Sequence, residues 1–184
     1  MQIMSHRLFV ALRPPEAIRQ TLALSQSGIP GARWQVDAQL HVTLRFIGEV
    51  ESHQAEDVVS ALAAIQAPKL ELRLSGVGHF GKGERINALW AGVSPVEGIT
   101  ALHHKIDRAL VRVGIAPDPR AFVPHLTLAR FAASTRASVA ETWLASHAGL
   151  TSAVFAVDEF ILYESHMGRH GSDYRAVERW PLRV

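Results

Sequence analysis

A chain of 184 residues, 48% of them hydrophobic, is long enough to bury a sizeable core, which excludes a disordered or fibrous protein. Its 19 Lys and Arg against 17 Asp and Glu leave a net charge of only +2, yet three of those cations are Lys and 16 are Arg, a bias toward the planar fork that grips anionic oxygens. The absence of cysteine removes disulfides, thiolate metal sites and thiol nucleophiles.

The N-terminal MQIMSHRLFVALRPP lacks the apolar stretch and small-residue cleavage site of a signal peptide. No apolar run approaches the ~18 residues a membrane-spanning helix needs, so a cytoplasmic protein with no membrane partner is expected. RLFVAL (7–12) reads as a strand. PPEAIRQTLALSQSG (14–28) reads as a helix with Pro at its start and Gly28 as its cap. LHVTLRFIG (40–48) is the next strand, and SHQAEDVVSALAAIQ (52–66) carries Val58, Val59, Leu62 and Ile65 at helical spacing. LELRLSGVGHF (70–80) and INALWAGV (86–93) alternate like paired strands around the turn GKGER (81–85). The second half follows with a helix over 96–114, the strand FVPHLTLARF (122–131), a helix over 134–147, and strands over 152–163 and 172–182.

These elements repeat. HVTL (41–44) and HLTL (125–128) place His41 and His125 84 residues apart, and the same offset carries first-half elements onto second-half elements within a few residues: Ser52 falls near Arg136, Leu70 near Val154, and Ile18 and Leu22 on Leu102 and Ile106. The expectation is one α+β domain over 1–184 with two pseudosymmetric lobes, each a small, mainly antiparallel sheet with helices on its outer face and a cleft between them.

On a strand, residues two apart share a face, so His41 and Thr43 point one way and Val42 and Leu44 the other; His125 and Thr127 behave likewise. Two facing lobes then line the cleft with two imidazoles and two hydroxyls. A repeated core would repeat apolar residues, and nothing in core packing requires a repeated His and Thr. Displacement at phosphorus needs a base, an acid and donors for the non-bridging oxygens, which these four side chains supply without a metal or cofactor. Arg45 shares the parity of His41 and Thr43 and is expected in the same cleft.

At these residues the chain resembles the two-histidine (2H) phosphoesterase superfamily, and within it the LigT-like bacterial RNA 2',3'-cyclic phosphodiesterases, also called 2'-5' RNA ligases. The likeness extends through RLFVALRPP, LHVTLRFIGEV, VGHFGKGERINALWAGV, FVPHLTLAR and the closing LYESHMGRHGSDYRAVERWPL. It implies hydrolysis of a 2',3'-cyclic phosphate at an RNA end to a 2'-phosphomonoester, with the reverse 2'-5' ligation open, by a monomer that needs no obligate protein partner. It also implies that His41 is the proton donor, His125 the proton acceptor, and Thr43 and Thr127 phosphate-binding hydroxyls. Arg130 matches a position often basic in the family, although strict alternation turns it away from the cleft unless a bulge re-aims it. The family's frequent Pro-Arg before the LWAG strand is Ile86-Asn87 here. A small cyclic phosphate as substrate, or a nucleotide- or RNA-binding module without turnover, are the alternatives.

Phe9, Trp34 and Tyr174 are each either stacking platforms for a terminal base or core residues. The turn 81–85 either touches RNA phosphates or is a solvated hairpin tip. His103 and His104, adjacent on a helix, make a poor chelating pair and read as surface, while His166 and His170 fall in a stretch, ESHMGRHGSD, that reads as a loop.

Overall fold

The computed structural model describes residues 5–168 and 171–183. Its strands are β1 (Ser5–Leu12), β2 (Arg33–Trp34), β3 (Val42–Glu51), β4 (Leu70–Phe80), β5 (Ala88–Ser94), β6 (His125–Arg130), β7 (Phe155–Val157), β8 (Glu159–Gly168) and β9 (Gly171–Pro181). The helices are α1 (Glu16–Ser25), α2 (Ser52–Ala63), α3 (Glu97–Arg112) and α4 (Glu141–His147). The nine strands form one curled antiparallel sheet, ordered β7-β4-β5-β6-β3-β1-β8-β9, with β2 beside β6. The two half-sheets, β3-β1-β8-β9 and β6-β5-β4-β7, join at one register pair, Val42 opposite Leu126.

Period-two alternation explains how that sheet serves two environments. Leu8, Val10 and Leu12 of β1 enter the main core, together with Val42, Leu44, Leu126 and Leu128. Helices cover this face: Ile99, Leu102, Ile106 and Leu110 of α3 recur at helical spacing and are all buried, as are Val58 and Leu62 of α2. Phe9 and Ala11, the intervening residues of β1, face the other way and pack with Ile161 and Tyr163 in a separate, small cluster. The sheet therefore shows helices one face and leaves the concave face for chemistry.

The chain is interleaved in a way that periodicity alone does not reveal. β4 follows α2 yet pairs with β5, and β8, near the C-terminus, returns to pair with β1. Three expectations need correcting. The helix over 134–147 is a 3-10 turn at Ala137–Ala140 followed by α4, the strand over 152–163 divides into β7 and β8 at Asp158, and residues 164–168 and 171–173 of the expected loop lie in β8 and β9. His170 lies outside the described residues. Among the described residues no helix is long and apolar enough to cross a membrane.

Candidate active site

Two β-bulges aim the side chains. Along the β1–β3 pairing Val10 faces Arg45 and Ala11 faces Thr43, leaving Leu44 as the extra residue; along β5–β6 Leu89 faces Ala129 and Trp90 faces Thr127, leaving Leu128 extra. Each bulge thus falls on the last residue of the His-x-Thr-Leu motif. In β3 the inserted residue sends both Leu44 and Arg45 to the helix side, and Phe46 returns to the concave face against the Phe9 cluster. In β6 it sends Leu128 and Ala129 into the core and brings Arg130 round to the concave side, where its charge acts on both His41 and His125.

The expectation for Arg45 is therefore overturned. Arg45 is 4% exposed; its Nε donates to Asp107 Oδ1 of α3 at 2.7 Å, and its other nitrogens donate to the carbonyls of Phe46 and Ala116. Parity failed because strict alternation stops at Leu44. The same device in the other half-sheet rescues Arg130, by the route the sequence left open.

The single Val42–Leu126 pair assembles the motifs. Its antiparallel sense brings His41 across from Thr127 and Thr43 across from His125 on the concave side, with the Val–Leu pair buried behind them. Each imidazole thus has a hydroxyl along its own strand and another across the junction.

His41 Nε2 lies 3.1 Å from Thr43 Oγ1, and a hydrogen bond to the Gln39 backbone holds the ring. Gln39 is itself anchored, its side-chain amide donating to the Ser172 carbonyl of β9 at 2.9 Å. Aromatic rings wall this imidazole: Phe9 at 5.0 Å, Tyr174 edge-on at 5.3 Å and Tyr163 at 6.3 Å between centroids. That burial pushes its pKa down to about 4; the Gln39 bond opposes the shift, and the charges of Arg130, His125 and Arg13 add to it. His125 donates from Nδ1 to the Val123 carbonyl at 2.6 Å, which leaves Nε2 free for the cleft. Phe80 meets its ring edge at 4.8 Å and Trp90 lies at 6.2 Å. Burial lowers the pKa of His125 as well, against the Val123 bond and with help from Arg130.

The aromatic expectations resolve separately. Phe9 is 4% exposed, with Tyr163 stacked on it at 5.2 Å and Tyr174 against it at 4.9 Å, so it supports His41 and has no open face for a base. Tyr174 is half-buried beside His41. Trp34 packs near Trp143 at 5.9 Å on the main core, away from the cleft. His103 is not simply surface: its Nδ1 lies 2.7 Å from the Leu44 carbonyl and its ring stacks on Phe122 at 4.0 Å, while His104 is exposed. Ile86 is fully buried, which takes the hairpin position of the family's basic pair into the core.

Residue patterns alone missed Arg13, Tyr163, Phe80 and Trp90. Arg13 directly follows Leu12, the partner of Val42, which brings it beside His41; Asp37 holds it by a 2.8 Å ion pair. The others sit on β8, β4 and β5, which reach the site through the interleaved pairing. Among the described residues, no group of three or more His, Asp or Glu is arranged to hold a metal ion.

The family model described as the 2'-5' RNA ligase superfamily matches residues 10–169 of this chain. The chain belongs to that superfamily. Among its relatives, the RNA 2',3'-cyclic phosphodiesterase of Escherichia coli (strain K12) is 33% identical over 183 residues, 96% of each chain. That of Aeropyrum pernix is 28% identical over 156 residues, 84% of this chain and 88% of the relative. The curled sheet of this superfamily member matches E. coli LigT crystallised with 3'-AMP at a TM-score of 0.79 and 26% identity, covering 97% of this chain and 99% of that one. A Thermus thermophilus structure matches at 0.78 and 27% identity, covering 96% and 98%.

Proposed function

We propose that this chain is an RNA 2',3'-cyclic phosphodiesterase, opening a terminal cyclic phosphate to a 2'-phosphomonoester by two-histidine acid–base catalysis without a metal. The observation that carries this reading is the Val42–Leu126 junction, which puts both His-x-Thr pairs on one concave face. The activity named for its relatives supports it. The 84-residue offset between the bulges at Leu44 and Leu128, in a sheet whose order mirrors about the junction, supports one bilobal domain built by duplication.

In this mechanism a neutral His125 takes a proton from water through Nε2 as the water oxygen bonds to phosphorus. The P–O3' bond breaks, and His41 passes its Nε2 proton to the departing 3'-oxygen. Each proton transfer is worth about 10²–10⁴-fold. Thr43, Thr127 and Arg130 hold the non-bridging oxygens, and Tyr174 borders the nucleoside. A bound phosphate anion reverses part of the depression at His41, because the surroundings that disfavour a lone imidazolium strengthen its pairing with an anion. Ligation through a 2'-5' bond is the same path reversed, with a 5'-hydroxyl in place of water. The partner is an RNA end, and a monomer acting in the cytoplasm suffices.

A second assignment, with His41 as base and His125 as acid, is favoured by one observation: the wall of Phe9, Tyr163 and Tyr174 around His41, whose pKa burial pushes down to about 4, disfavours the protonated form that a donor needs.

The activity test is incubation, in excess chelator, with an oligoribonucleotide ending in a 2',3'-cyclic phosphate, reading the phosphate position in the product. A 2'-phosphate that forms with wild type and not with His125→Ala is expected. A 3'-phosphate, or no product, would overturn the proposal.

A further inference from the structure

The hairpin tip that joins β4 to β5 and the segment after β6 enclose a polar cavity of about 320 Å³, lined by Lys82, Glu84, Arg85, Ser134 and Arg136. Three cations and one carboxylate face it, and no apolar side chain does. Backbone contacts fix the arrangement. Arg85 and Arg136 sit opposite each other in an isolated antiparallel bridge, Ile86 N–H donates to the Thr135 carbonyl, and Ala137 N–H donates to the Glu84 carbonyl.

Like charges directly opposite on paired backbone cost stability. Five arginines elsewhere are paired with carboxylates: Arg13 and Arg19 with Asp37, Arg45 with Asp107, Arg120 with Asp118 and Arg179 with Glu159. Among the described residues no ion pair involves Lys82, Arg85 or Arg136, and the one side-chain hydrogen bond of Arg85 goes to the Ala133 carbonyl. The site sets three exposed cations against one carboxylate, Glu84, in a defined shape, a net positive charge suited to an anion from outside.

Its position says which anion. Phe80, edge-on to His125, ends β4 two residues before Lys82, and Arg130 faces Ala88 three residues after Arg85. At most ~3.3 Å per residue, the three residues from Arg85 to Ala88 put the Arg85–Arg136 pair within roughly 10 Å of the residue that faces Arg130, a reach of one to two nucleotides of RNA strand. We infer that Lys82, Arg85 and Arg136 form a second phosphate subsite, which takes a backbone phosphodiester upstream of the cyclic end. This rests on the proposed activity, and it makes the preferred substrate an oligonucleotide instead of a mononucleotide. The cationic turn noted in the sequence thereby gains a role beyond that of a solvated tip.

A built-in control exists on the opposite face, where Lys105, Arg108 and Arg112 of α3 line a groove with α2 on the helix side of the sheet. The test measures affinity by fluorescence anisotropy for a single-stranded hexaribonucleotide bearing a terminal 2'-phosphate, and by competition for a mononucleoside 2'-phosphate. In the variant Lys82→Ala/Arg136→Ala, hexanucleotide affinity should fall about ten-fold or more. The mononucleotide should bind as in wild type, and the slope of log affinity against log salt should shrink by about 0.7, one phosphate contact's worth. Lys105→Ala/Arg108→Ala/Arg112→Ala should leave both affinities unchanged. Lys82→Gln/Arg136→Gln, with circular dichroism, guards against a folding defect. The subsite is refuted if hexanucleotide affinity stays within two-fold of wild type, if both ligands weaken alike, or if the α3 variant weakens the hexanucleotide equally. Failure of wild type to open any cyclic phosphate would instead overturn the proposed activity, and the binding comparison would still be readable.

Discussion

The two half-sheets carry the same motif and the same bulge, and they use them differently. Around His41 the bulge buries the cation Arg45 in an ion pair with Asp107 and turns the aromatic Phe46 to the concave side. Around His125 the equivalent step buries the small Ala129 and turns the cation Arg130 into the cleft. One imidazole sits in a wall of Phe9, Tyr163 and Tyr174, and the other meets Phe80 edge-on. Symmetry of the backbone supplies two matched groups. Asymmetry of the next few residues makes them unequal, which is what an acid and a base require.

The largest expected effect comes from removing either imidazole. His41→Ala and His125→Ala should each lower kcat by about 10²–10⁴-fold while the melting temperature stays near wild type. Near-wild-type turnover in both would remove the acid–base pair. Next come the two arginines, which separate function from structure. Arg130→Ala should cost about 100-fold in kcat/KM with little change in stability, since it is exposed and faces the reacting anion. Arg45→Ala should lower stability by about 3 kcal/mol, or the melting temperature by roughly 10 °C, because it strands Asp107 and two carbonyls. If thermal melts and kinetics gave both variants the same phenotype, the bulge comparison would fail.

Smaller effects follow from the hydroxyls and from pH. Thr43→Val and Thr127→Val should each cost about ten-fold in kcat/KM. His41 has a folded pKa of about 4, below the ordinary 6.5, so on acidification the unfolded chain takes up its proton first. That contribution to stability is complete above pH 6.5 and is lost as pH falls to 4, by at most about 3 kcal/mol. Denaturant titrations at pH 7 and pH 4.5 should show wild type losing more stability than His41→Gln, and equal losses would contradict the buried, neutral ring.

Much of this site is legible in the sequence. Period-two alternation placed His41, Thr43, His125 and Thr127 on one face, and the repeat said that there were two such faces. Arg45 shows where sequence parity stops: a bulge at Leu44 has no local signature, because it is set by how β3 registers against β1, and one inserted residue reverses the side chains that follow it until the next register shift, at Ile47. The aromatic walls were hidden for a related reason. Tyr163, Phe80 and Trp90 come from strands distant in sequence from the motif they flank, brought there by an interleaved topology that hydrophobic patterning does not encode. The fate of Phe9 turned on which neighbours cover its ring, and that too is long-range.

The most direct measurement of the central claim, that these two histidines divide acid and base work, is kcat/KM against pH for wild type, His41→Ala and His125→Ala with a cyclic-phosphate-ended oligoribonucleotide. Because both imidazoles are held below their ordinary range, wild type should give a bell whose two limbs lie below about pH 6.5. With His41 as the donor, the residual rate of His41→Ala should keep only the acid limb and rise to a plateau, and that of His125→Ala should keep only the alkaline limb and fall. Exchanged limbs would exchange the roles. A bell retained in both variants, or a flat wild-type profile, would contradict two-histidine catalysis.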